Sequence, residues 1–179
     1  GLQAATPVCR ERHPMLSKKR QEALNAQINA EYYSSYLYLS MAAFCESINL
    51  KGFGHWFQIQ SREEMVHVMK FFNYVLDRKG AVKLKAIEGP PVKWESPQAV
   101  FEAALAHEQH VTSLINKLAE LAAAENDHAT ATLLQWFINE QVEEEKNTTA
   151  IVEQLKLIEA RGTAVLMLDR QLGKRGGED

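Results

Sequence analysis

Residues 62–67 read Arg62-Glu63-Glu64-Met65-Val66-His67, inside a run whose apolar positions recur with a helical period. At about 100° of rotation per residue, Phe53, Phe57, Gln60, Glu64, His67, Val68, Phe71 and Val75 fall on one face. The i, i+3 spacing stacks Glu64 and His67 on a single patch, where a carboxylate and an imidazole can chelate one ion. Two such groups on the apolar side of a helix require a partner.

Working outward, three further predicted helices repeat the anomaly. In the first helix of the chain, Leu24, Ile28, Glu31, Ser35, Tyr38, Leu39 and Ala42 share an arc, with Glu31 in its middle and Tyr38 two turns on. A third helix places Glu108 among Phe101, Ala104, Leu105, Val111, Thr112, Ile115 and Ala119. On a fourth, Leu133, Phe137, Ile151 and Leu155 share their side with Glu140, Gln141 and Glu144, and Glu143 lies at its edge. Burying an unpaired ionised carboxylate is costly enough that the group normally neutralises, so acids on several apolar stripes predict a common cation or a water-filled cavity. Oxygen ligands with one imidazole suit iron or manganese, iron first, and disfavour structural zinc.

The chain has 179 residues, of which 46% are hydrophobic, enough for one domain with a substantial core. A net charge of −3 gives no electrostatic footprint for nucleic acid. No apolar stretch approaches the ~20 residues of a membrane span, and the first residues lack a signal-peptide core, so a soluble, cytoplasmic protein is expected. Cys9 and Cys45, without a CxxC pair, read as free thiols.

Punctuation divides the chain into an irregular extension (residues 1–14), a helical domain (15–174) and a polar tail (175–179). Ser17 is the expected N-cap of helix one, which runs to about Glu46; helix two follows a short link at Asn49 to Gly52 and ends near Gly80. Gly89, Pro90 and Pro91 preclude a continuous helix from Gly80 to Glu95, a segment long enough to cross the length of a bundle. Ser96 and Pro97 open helix three, helix four begins near Asp127 and is stopped by Gly162 near Arg161, and a short helix spans about Thr163 to Leu172. The expected fold is all-α: a four-helix bundle with one long crossover and a short fifth helix.

The segments NAEYYSSYLYLSMAAF (29–44), REEMVH (62–67), HEQ (107–109) and NEQVEEEK (139–146) closely resemble the bacterial and archaeal non-haem ferritins, over about Met15 to Lys174. Bundles of this ferritin-like class carry Glu and Glu-x-x-His ligands inward. The resemblance implies a di-iron ferroxidase centre in which Glu31, Glu64 and His67 hold one iron, Glu64, Glu108 and Glu144 hold the other, and Glu64 bridges. It further implies that Gln141 stands beside the centre, that Glu63, Glu140, Glu143 and Glu144 form a third iron site, and that Tyr38 adjoins the first iron. Implied partners are Fe(II), O2 or H2O2, and copies of the same chain in a 24-subunit shell. In that shell Val165, Leu166, Leu168 and Leu172 of the last helix would line fourfold contacts, unless they dock on their own bundle.

Helix four separates this chain from close relatives of that family. Bacterioferritins and rubrerythrins carry a second Glu-x-x-His there, whereas Glu144 is followed three residues later by Asn147. One imidazole and a glutamine suit a site that passes its iron on. Rubrerythrin's additional iron needs four thiolates, which two cysteines cannot supply. Met65 occupies the position of the haem-ligating methionine of bacterioferritins but reads as a packing residue, and no haem is expected. Tyr38 reads both as a core tyrosine bonded to Glu31 or Glu108 and as an electron donor, while Trp136 reads as a packed aromatic. His55, His107, His110 and His128 are expected at the surface or at interfaces, and Glu145 in solvent.

Overall fold

The computed structural model describes residues 15–159 and 162–176. Five helices and no strands occur among the described residues: α1 (Lys18–Ser47), α2 (Lys51–Asp77), α3 (Pro97–Ala124), α4 (His128–Ile158) and α5 (Gly162–Leu172). Side-chain caps set most of the starts. Ser17 accepts from Arg20 N, Ser96 from Ala99 N with Pro97 in the first turn, and Asp127 from Thr130 N. The turns after α1 and α3 use Asn49 and Asn126 at φ 62° and 53°, a conformation that asparagine tolerates better than most residues.

α2 lacks a capping side chain of its own; Leu50 precedes it, and the free Phe53 N–H instead donates to Asp169 Oδ1 of α5 at 2.8 Å. Gly52 makes this docking feasible, because a Cβ there would fall 1.7 Å from the Asp169 carbonyl oxygen. Residues 80–94 contain neither helix nor strand and run along α1. Asn25 bonds Ala81 O and Lys83 N near one end, and Ser40 Oγ donates to Pro91 O near the other. The segment is therefore a crossover of nearly bundle length, as expected.

Two boundaries differ from the sequence reading. Helix two stops at Asp77, and helix four stops at Ile158, where Glu159 takes φ 44°; Gly162 opens α5 and does not cap α4. Leu39, placed on the buried arc by its angle, is 51% exposed. The extension at 1–14, with Cys9, lies outside the described residues, whereas Cys45 is buried and burial pushes its thiol up to about 12.

The apolar core is divided. One cluster gathers Met41, Phe53, Phe57, Phe101, Ile151, Leu155 and Leu168; the other gathers Leu24, Ile28, Val68, Phe71, Ile115 and Phe137. Each buried Phe or Leu contributes about 1.5–3 kcal/mol by leaving water. Ring stacks mark both clusters, Phe57 on Phe101 at 4.7 Å and Phe71 on Phe137 at 4.0 Å between centroids. Between them in sequence, on each of the four long helices, lie buried polar side chains, including Glu31, Gln60, Glu64, His67, Glu108, Gln141 and Glu144. Val165 and Leu172 pack against the first cluster, which includes Leu168, so these three dock on their own bundle while Leu166 remains 50% exposed.

Candidate metal centre

Small hydroxyl residues bring α1 and α2 together beside the polar layer. Ser35 Oγ donates to Ser61 O and Ser61 Oγ to Ser35 O, both at 2.8 Å, one turn from Glu31 and Glu64 respectively. The facing turns deliver Glu31, Glu64 and His67, each buried, with one ligand atom apiece lying within 4.8 Å of the others. His67 Nδ1 is 3.2 Å from Glu64 Oε2 and 3.8 Å from Glu31 Oε2. Gln27, one turn before Glu31, donates to Glu31 Oε1 at 2.7 Å. The other oxygen, Oε2, is inaccessible and has no hydrogen-bond partner among the described residues. Leaving such an acceptor unmet costs about 1–3 kcal/mol or more, and a cation between Glu31, Glu64 and His67 would meet it.

α3 and α4 supply the opposite carboxylates. Tyr38 OH donates to Glu108 Oε1, and Gln141 Nε2 donates to Glu108 Oε2 at 3.1 Å. Gln60 Nε2 donates to Glu144 Oε2 at 2.5 Å. Glu31, Glu108 and Glu144 are thus held by neutral donors, which orient a ligand without neutralising it. Glu108 and Glu144 are not part of the close Glu31, Glu64 and His67 group.

The electrostatics reflect a surplus of buried negative charge. Burial raises the Glu64 carboxyl well above its usual range, opposed by His67 and reinforced by Glu108 and Glu31. Burial and then the Glu144 charge push Glu108 up to about 8, and burial likewise raises Glu144. For His67 burial disfavours the imidazolium, but the neighbouring carboxylates of Glu31 and Glu64 outweigh it and carry the pKa to about 11. Burial and the nearby Glu108 also raise Tyr38, so its phenol keeps its proton. A metal ion entering here displaces protons. The donor set, carboxylates with one imidazole, fits iron or manganese.

Next to this layer, Glu63, Glu140, Glu143 and Glu144 line a cavity of about 470 Å³ together with His67 and Trp136. Glu143 is exposed and Glu140 half-buried. Arg62, Lys70 and Arg175 line the same cavity. Trp136 packs its ring edge-on to His67 at 5.4 Å and carries Lys70 Nζ over its face at 4.1 Å.

Sequence reasoning gave no role to Gln27 or Gln60; Gln27 stands four residues before Glu31, a spacing that signals it, whereas Gln60 reaches Glu144 across the bundle. Arg175 was assigned to a polar tail, yet it reaches Glu63. His107 is a correction: it is half-buried, its Nε2 lies 2.8 Å from Ser34 Oγ, its ring sits edge-on to Tyr38, and burial with His110 lowers its pKa to about 4. Glu145 is another, half-buried and accepting from Thr112 Oγ1 at 2.5 Å. His55 contacts the Arg175 carbonyl oxygen, while His110 and His128 are exposed as expected. Met65 is 37% exposed on the single chain.

The fold and this buried group together define a ferritin-like metal-carboxylate bundle. Residues 21–158 match the family model of the ferritin-like domain, and the chain belongs to the ferritin family. It is 43% identical to a bacterial non-heme ferritin of Bacteroides fragilis over 161 residues, covering 90% of this chain and 100% of that protein. A bacterial non-heme ferritin of Staphylococcus aureus is 37% identical, covering 90% and 97% respectively. Among solved structures, the open pore ferritin of the hyperthermophilic archaeon Archaeoglobus fulgidus superposes with a TM-score of 0.90 at 51% identity, covering 92% of this chain and 100% of that one.

Proposed function

We propose that this protein stores iron and is a ferroxidase: it oxidises Fe(II) to Fe(III) inside each subunit and passes the product to a mineral held within a hollow shell of 24 copies. The observation that carries this reading is the convergence of Glu31, Glu64 and His67 in a buried layer, with Glu31 Oε2 unmet. In this reading Glu31, Glu64 and His67 bind one Fe(II), Glu64, Glu108 and Glu144 bind a second, and Glu64 bridges them. Two Fe(II) side by side deliver two electrons to O2 or H2O2 together, and the carboxylates favour the ferric product through charge. Gln141 and Tyr38 both donate to Glu108, and in this reading Tyr38 gives an electron or a hydrogen bond at the pair. Glu63, Glu140 and Glu143, with Glu144, take a third iron on its way out. No haem is required.

Exposed apolar side chains on α1, α2 and α5, among them Tyr36, Leu39, Met69 and Met167, support burial against other copies in a shell. No helix among the described residues is long and apolar enough to cross a membrane, which agrees with a cytoplasmic store. The test is anaerobic Fe(II) loading of iron-free protein followed by air. Rapid oxidation of about two irons per subunit, then continued uptake into a soluble core, is expected. Oxidation without further storage would replace the storage reading with a retained di-iron oxidase, and absence of a fast phase would remove the ferroxidase assignment.

A further inference from the structure

Arg175 lies beyond the last helix but not in solvent. α5 is fixed to the start of α2 by Asp169, and Arg175 N bonds back to Leu172 O at 3.2 Å, so the chain returns along α2. There the guanidinium donates to Gln60 Oε1 at 2.8 Å and to Glu63 Oε2 at 2.5 Å, and its charge sits 4.8 Å from the centre of the Trp56 ring. A guanidinium only donates, so this contact fixes the Gln60 amide with its oxygen outward and its NH2 toward Glu144. One side chain thereby engages Glu63 directly and Glu144 through Gln60, two of the acids of the outer cavity.

We propose that Arg175 is a tethered counter-ion of this cavity: it competes with an incoming metal cation for Glu63, holds Gln60 against Glu144, and so keeps the outer position a place of passage and not of residence. The inference rests on the reading that Glu63, Glu140, Glu143 and Glu144 take up a cation. A cation bound there must displace or share the guanidinium, because the fork already occupies a Glu63 oxygen. The buried Glu31, Glu64 and His67 group has no direct bond to Arg175 and keeps its affinity when the arginine is lost.

The probe is Tb(III), which prefers oxygen ligands and is sensitised by nearby tryptophan; Trp136 lines the cavity. Full-length, iron-free protein is titrated as wild type, Arg175→Gln and Glu140→Gln, with a chain ending at Lys174 as a second way of removing the guanidinium. The class of site lost in Glu140→Gln is the outer one. It should bind Tb(III) about tenfold more tightly in Arg175→Gln and in the shortened chain, with unchanged stoichiometry. Equal affinity in wild type and Arg175→Gln would overturn the role of Arg175 while leaving the outer site in place. If Glu140→Gln removes no class of site, the cavity reading fails and the inference falls with it.

Discussion

Two groups of buried acid in this chain are treated in opposite ways. At the turn between α3 and α4, Asp127 accepts from Arg20 and Arg78, which come from α1 and the end of α2, and from Thr130. Glu125 beside it accepts from Ser17 and pairs with Arg20. Here the chain supplies its own cations and ties the bundle end together. In the middle of the bundle, Glu31, Glu64, Glu108 and Glu144 receive mainly neutral donors, with His67 as the one cationic partner inside the layer. Charge satisfied from within holds a fold together, whereas charge oriented but not satisfied is a site for something that arrives.

The contrast is sharpest under substitution. Asp127→Ala should lower unfolding free energy by about 3 kcal/mol, because Arg78 loses the carboxylate it pairs with and Arg20 is left with Glu125 alone. Denaturant titration of the iron-free protein measures it, and a loss below about 1 kcal/mol would show the knot to be dispensable. Glu64→Ala should do the reverse: little or no loss of iron-free stability, since a strained buried acid is removed, but a fall in the fast oxidation rate by about a hundredfold or more. Stopped-flow absorbance decides it, and a rate near wild type would separate Glu64 from the chemistry.

The titration behaviour extends the comparison. Folding raises Glu108 from 4.5 to about 8 and His67 from 6.5 to about 11, so between pH 7 and 8 the folded state holds protons that the unfolded chain lacks. A raised folded pKa gives stability that is lost as pH rises, so the iron-free protein should weaken by about 2 kcal/mol per pH unit in that window. His107, lowered to about 4, is neutral in the folded state and mostly so in the unfolded chain there, so it offsets only a small part of the slope. A bound divalent ion replaces the protons and should flatten the slope, which melts at several pH values with and without Zn(II) would reveal. The smallest effect is expected from Glu140→Ala, which should leave the first oxidation within about twofold and alter only later turnovers; an immediate loss of the fast phase would move Glu140 into the pair.

Much of this was legible in residue spacing. A helical period of 3.6 assigns each side chain a direction, so the inward placement of Glu31, Glu64, His67, Glu108, Gln141 and Glu144 followed from their angle to neighbouring Leu, Phe and Val. Leu39 shows the limit, since the edge of an arc faces the core or solvent according to what packs beside it. His107 shows another: it lies off the apolar stripe of α3 yet reaches Ser34 and Tyr38 because α1 passes there.

By itself, the sequence determined the four long helices, the crossover and which acids point inward, because capping, proline placement and periodicity act over a few residues. The tertiary structure alone decided that Asp127 is neutralised by Arg20 and Arg78, that Gln60 orients Glu144, and that Arg175 returns to Glu63. Those pairings join residues as far as 112 positions apart in the chain. No local rule selects a partner at that distance; the choice is made by the docking of whole helices, which fixes where each side chain ends.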